Sequence, residues 1–146
     1  MSFFRYVILL AGFSVLSIGA NAEVSVSDSW IRAVPAMMTS SAGYLRLNND
    51  TNEHLVLIGA RVDFANKAEI HNHIMSNGLM KMVPAILPIR IAPGSSVEFK
   101  PKGLHIMLMG LKAPLEPNVE YQIELLFESH APVRFTSKIA MDSAGH

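Results

Sequence analysis

From residue 23 onward the chain runs in short bursts of alternating polar and apolar residues, broken about every ten residues by turn chemistry. "EVSVSDSWIRAV" (residues 23–34) alternates weakly and stops at Pro35. "SAGYLRLNND" puts Tyr44, Arg46 and Asn48 on one face, with Leu45 and Leu47 on the other. "HLVLIGARV" is an apolar run with β-branched residues. "KAEIHNHIM" and "LMKMVPAI" flank Ser76-Asn77-Gly78, and Asn-Gly between two strand-like runs is a strong hairpin signal. "PIRIAPGSSVEFKPKG", "LHIMLMGL", "VEYQIELLFES" and "VRFTSKIA" complete the series. No apolar pattern of helical period lasts beyond two turns. The expectation is one all-β domain over residues 23–140, a Greek-key β-sandwich of about eight or nine short strands.

The start of the chain breaks this pattern. "MSFFR" carries one positive side chain, Arg5, and is followed by fourteen apolar or small residues, Tyr6 to Gly19. A bilayer span needs roughly 20. "ANA" (residues 20–22) fits a small-residue cleavage site, so residues 1–22 read as a secretory signal peptide. The mature chain is then an exported, periplasmic protein of 124 residues (146 less 22), and residues 141–146 form a short flexible tail. With no cysteine near the cut, no lipid anchor is expected. Loss of Arg5 leaves 11 Lys and Arg against 12 Asp and Glu, with no basic run. Nucleic acid and anionic membrane surfaces are therefore poor candidate partners.

The chain has no cysteine at all. That removes disulfides, Cys-zinc sites, iron–sulfur clusters and thiolate copper centres. Its candidate donors are instead concentrated in "HNHIMSNGLMKM" (residues 71–82) and "HIMLM" (residues 105–109). Residues two apart on a strand share a face, so His71, His73 and Met75 line one side of their strand. Met80 and Met82 line one side of the next, and His105, Met107 and Met109 one side of a third. In a two-residue hairpin, cross-strand partners have numbers summing to 155, so Met75 faces Met80 and His73 faces Met82. His71 then lies diagonal to Met82, at about 7 Å or less between Cβ atoms.

A methionine on a strand is commonly a core filler, and a buried imidazole needs hydrogen-bond partners. Here Ile74, Leu79, Ile106 and Leu108 hold the opposite faces and are the better core candidates, while three segments repeat the same imidazole–thioether face. The cluster as a whole points to a metal. Thioethers are poor ligands for zinc, calcium or magnesium and good ones for Cu(I), while imidazole serves both copper oxidation states.

These segments resemble the periplasmic copper chaperones of the PCu(A)C family. Their signature is a His, ten residues, a Met, a little over twenty residues, then His-x-Met. Here His71 is followed after ten residues by Met82, and after twenty-two more by His105-Ile106-Met107. "DSWIRAVP", "GYLRLNN", "AEIHNH", "GLMKM" and "IAPGSSVEFKPKGLHIMLMGLK" extend the likeness over about residues 27–135. The resemblance implies a cupredoxin-like β-sandwich that holds Cu(I) at an exposed end through His71, Met82, His105 and Met107. It also implies delivery of copper to the binuclear copper centre of cytochrome c oxidase alongside Sco-type thiol proteins. His73 and Met75 are extra donors beside the first ligand. They leave open which His binds, whether Met75, Met80 or Met109 contributes, and whether His73 helps hold Cu(II).

Among the other residues, Met37 and Met38 read as loop residues, Trp30 as sandwich packing, and His54 and His130 as solvated. Glu69, two before His71, reads first as an ordinary surface carboxylate, with orientation of that imidazole as the second reading. No phosphate loop, nucleophile grouping or HExxH motif supports an enzyme. Two rival readings accompany the chaperone: a periplasmic copper buffer for tolerance, and a non-metal β-sandwich interaction module.

Overall fold

The computed structural model describes residues 22–141. The expected leader and tail lie outside the described residues except for their inner ends. Ten strands follow one another: β1 (Val24–Arg32), β2 (Ser40–Asn49), β3 (Leu55–Val62), β4 (Ala65–Ser76), β5 (Leu79–Pro84), β6 (Ile89–Ile91), β7 (Ser96–Phe99), β8 (His105–Leu111), β9 (Tyr121–Glu128) and β10 (Val133–Ala140). No described residue is helical. The all-β expectation holds, with ten strands where eight or nine were expected. The difference lies in "PIRIAPGSSVEF". Pro93-Gly94 turns the chain there, with Gly94 at φ +70°, and splits one expected strand into β6 and β7.

The hydrogen-bonded order is β5-β4-β8-β2-β1-β10-β9-β3-β6, with β7 also on β2. β10 joins the two layers. Residues 138–140 pair in parallel with β1, while residues 133–137 pair antiparallel with β9. Among the described strands only β1–β2, β4–β5 and β9–β10 are both consecutive in the chain and hydrogen-bonded to each other, so the remaining pairs are crossovers.

The core draws on both layers. Ile31, Leu45, Leu47, Ile70, Phe99, Ile106 and Leu108 from one half meet Leu55, Leu57, Ile91, Ile123, Leu125 and Phe127 from the other. By strand alternation the neighbours Tyr44, His71, His105 and Met107 then face away from this core. Ile106 and Leu108 are core residues as expected, each 0% exposed, but Ile74 and Leu79 are 43% and 66% exposed. The end of the β4–β5 hairpin extends past the second layer, so neither of its faces is covered there.

The β2 end is fastened to the β6–β7 corner by a polar residue. Asn49 is fully buried, and its Nδ2 donates to the carbonyls of Glu53 (2.8 Å), Ile91 (3.0 Å) and Ala92 (3.3 Å). Its Oδ1 accepts from the amide and the hydroxyl of Thr51 at 3.1 and 2.6 Å. Removing such a hub leaves several buried carbonyls without donors. We expect Asn49→Ala to lower the unfolding free energy by about 2 kcal/mol or more, measured by urea denaturation with an unchanged m-value. A loss near zero would show that water takes over these bonds.

Candidate metal centre

The site is assembled by three adjacent strands, β8, β4 and β5. The hairpin turns at Asn77 (φ +52°) and Gly78 (φ +75°), the double left-handed turn that matches strand twist. It fixes the pairs His73–Met82, Met75–Met80 and His71–Pro84, all summing to 155 as expected. On its other side β4 pairs with β8, placing His71 opposite His105 and Glu69 opposite Met107. One outward face thus carries Met107, His105, His71, His73, Met82, Met75 and Met80 in neighbouring rows.

The structure brings His71, His105 and Met82 together. The His71 and His105 rings are 6.0 Å apart by centroid, and His105 Nε2 is 3.2 Å from Met82 Sδ. Met107 shares the face of His105 two residues on and is half-buried. His73 also joins the group, with its ring 5.1 Å from that of His105. Met109 lies further along β8, opposite Lys67 and Ser40, and Met75 and Met80 lie outward at the hairpin end. His71 and His105 are 9% and 2% exposed while Met82 is 47% exposed, so the imidazoles form the floor and a thioether the open side.

Fixed acceptors set the imidazole tautomers. Glu69 Oε2 lies 3.0 Å from His71 Nε2, and a carboxylate only accepts. Nε2 of His71 must therefore carry the hydrogen, which leaves Nδ1 as the lone-pair atom of the neutral ring. That Nδ1 is buried and has no hydrogen-bond partner. Similarly, the Gly103 carbonyl accepts from His105 Nδ1 at 2.9 Å, leaving Nε2 bare toward Met82. Glu69 itself is held below the usual carboxylate range, first by its hydrogen bond from Lys67 and then by that from His71. It takes the orienting role rather than that of the ordinary surface carboxylate the sequence favoured.

Tyr44 and Trp30 supply a wall that the sequence did not assign to the site. The Tyr44 ring is 6.4 Å from His105, and Trp30 packs on Tyr44 at 4.5 Å. The Arg32 guanidinium lies 5.4 Å over the Tyr44 ring. Trp30 does pack, as expected, but against Tyr44 on the outer face of its sheet, outside the inter-layer core. Its position follows from the β1–β2–β8 register, which no local sequence signal carries. His54 and His130 are exposed, as expected.

Chemically, this is a set of imidazole nitrogens and thioether sulfurs. Among the described residues no group of three or more His, Cys, Asp or Glu side chains is arranged to hold a metal ion without the thioethers. A soft, low-coordinate cation fits the donors present.

An all-β sandwich with a His/Met face at one sheet edge defines the class: a cupredoxin-like domain of the PCuAC kind. A family model described as LpqE-like matches residues 24–139, and the chain belongs to that family. It is 36% identical over 112 residues to protein Lxx21020 of Leifsonia xyli subsp. xyli (strain CTCB07), which carries a lipoprotein name. That match covers 75% of this chain and 66% of the relative. It is 32% identical over 127 residues to protein RP573 of Rickettsia prowazekii (strain Madrid E), covering 85% of this chain and 70% of that one. The chain thus spans about two thirds of the length of these relatives.

Solved structures share the fold. The apo PCuAC domain from PmoF1 superposes with a TM-score of 0.66 at 21% identity, over 81% of this chain and 93% of that domain. The copper-bound PCuAC domain from PmoF2 gives 0.64 at 19% identity, over 81% and 92%. The Cu(I) form of DR1885 from Deinococcus radiodurans gives 0.58 at 27% identity, over 84% and 82%. The resemblance stated from the sequence is borne out at the level of fold and family.

Burial is the main cause that pushes the His105 pKa below the ordinary imidazole value, with the positive charges of His73, His71 and Arg32 adding to it. A folded-state pKa below the unfolded one means that the unfolded chain binds more protons in the interval between them. The stability held by His105 is therefore complete above about pH 6.5 and declines as pH falls toward the folded value. NMR titration of the metal-free protein should show His105 titrating below the ordinary imidazole value. Titration at or above the ordinary value would mean that the ring is solvated.

Proposed function

We propose that this protein is an exported copper metallochaperone that carries Cu(I) on His71, Met82, His105 and Met107. The observation that carries this reading is the contact between His105 Nε2 and Met82 Sδ at 3.2 Å. In the neutral ring, with its hydrogen held on Nδ1 by Gly103, both atoms present lone pairs and neither supplies a hydrogen. A soft cation is the species that makes such a contact favourable. The copper-bound PmoF2 domain and the Cu(I) form of DR1885, which share the fold, support copper as that cation.

The donors divide the work of transfer. His71 and His105 are buried, with their orientations set by Glu69 and Gly103, so they hold the ion in a fixed frame. Met82 is half-exposed on the edge strand and is the donor an incoming ligand reaches first. Replacing one weak thioether at a time passes Cu(I) on without release of a free ion. The periplasm, delivery to the binuclear copper centre of cytochrome c oxidase and cooperation with a Sco-type protein complete the proposal. They rest on the resemblance and on the leader-like start of the chain. The rival reading as a non-metal interaction module predicts no copper binding at all.

The decisive experiment is an anaerobic competition titration of the mature protein with Cu(I) against a colorimetric chelator, with urea denaturation run in parallel. Met82 is 47% exposed, so Met82→Ala should cost about 0.5 kcal/mol of stability or less. Its Cu(I) affinity should fall by about tenfold or more. Equal losses in affinity and stability would return Met82 to a packing role, and no competition by the wild type would end the copper reading.

A further inference from the structure

The four proposed ligands leave part of the donor face unused. Beyond the His73–Met82 pair, the hairpin carries Met75 directly opposite Met80, and the two are 66% and 51% exposed. Neither fills the core, which lies against the opposite face of the sheet. His73 and Met75 are two apart on β4, so they share a face, and Met80 is the diagonal neighbour of His73 across the ladder. Of the two lysines on these strands, Lys81 pairs with Ile74 and so falls on the other face, while Lys67 lies at the far end of β4, opposite Met109. His73 has a buried Nδ1 with no hydrogen-bond partner. A buried polar atom without a partner calls for an explanation, and nothing in the four-ligand set provides one.

We propose that His73, Met75 and Met80 form a second, outer Cu(I) site, through which the cargo reaches and leaves the inner donors. The proposal rests on the copper reading above and extends it. Two thioethers and one imidazole make a soft, three-coordinate set suited to a closed-shell monovalent ion. The unbranched Met side chains can close on the ion from an exposed strand pair without moving the backbone. His73 couples the two sites, because it lies across the ladder from Met82 and its ring is 5.1 Å from that of His105. Donors thus continue from the exposed hairpin end to the buried floor, and each exchange needs only a neighbouring ligand.

Ag(I), a redox-inert stand-in for Cu(I), would be titrated into the mature protein carrying methyl-labelled methionines, with the methyl signals followed by NMR. The first equivalent should shift Met82 and Met107, and the second should shift Met75 and Met80. In a Met75→Leu/Met80→Leu variant, which keeps side-chain volume, the second equivalent should be lost. The first equivalent and the melting temperature should stay unchanged, and Cu(I) handover to a chelator should slow. Shifts confined to Met82 and Met107, or two equivalents retained by the variant with an unchanged handover rate, would overturn the outer site alone. If no methionine signal moves at any ratio, the outer site and the copper reading fail together.

Discussion

Everything at the donor face depends on the register of one strand. β4 is held between β5 and β8, and side chains on a strand alternate with a period of two. The register that buries Ile70 against Ile106 also turns His71 and His105 outward together. A slip of one residue would drive imidazoles into the apolar core and push isoleucines out. The core thus fixes the donor geometry, because its own burial is possible in only one register. The Asn77-Gly78 turn secures the other side of the strand by closing the hairpin on a single set of pairs.

Polar groups refine what the register sets out. Glu69 and the Gly103 carbonyl each take an imidazole hydrogen and leave the opposite ring nitrogen bare. Burial of His105 favours its neutral form, which is the form that can act as a ligand. These supports cost the fold little. Glu69 lies on the partly exposed face beside Lys67, and Gly103 belongs to the turn that leads into β8. The Trp30–Tyr44 pair walls the inner side, while the β5 edge stays open. A site closed on one side and open on the other suits a cargo that must be both held and surrendered.

The chain belongs to the LpqE-like family and shares the fold of PCuAC domains. The identities to these solved structures are low, 21% and 19%, while the fold is shared.

The sequence alone determined the strands, the hairpin and the faces. These are local properties, written in the two-residue alternation, in Asn-Gly and in the lack of any helical period. It also determined the kind of ion, because donor softness is a property of side chains and the chain has no thiol. Only the tertiary structure decided which strands became neighbours, since crossover pairings such as β4–β8 and β2–β8 leave no local trace. That is why Tyr44 emerged beside His105, why Trp30 packs outside the inter-layer core, and why one expected strand divided between β3 and β2. The same reason exposes Ile74 and Leu79, whose apolar character is local while their burial depends on a second layer that ends before it reaches them.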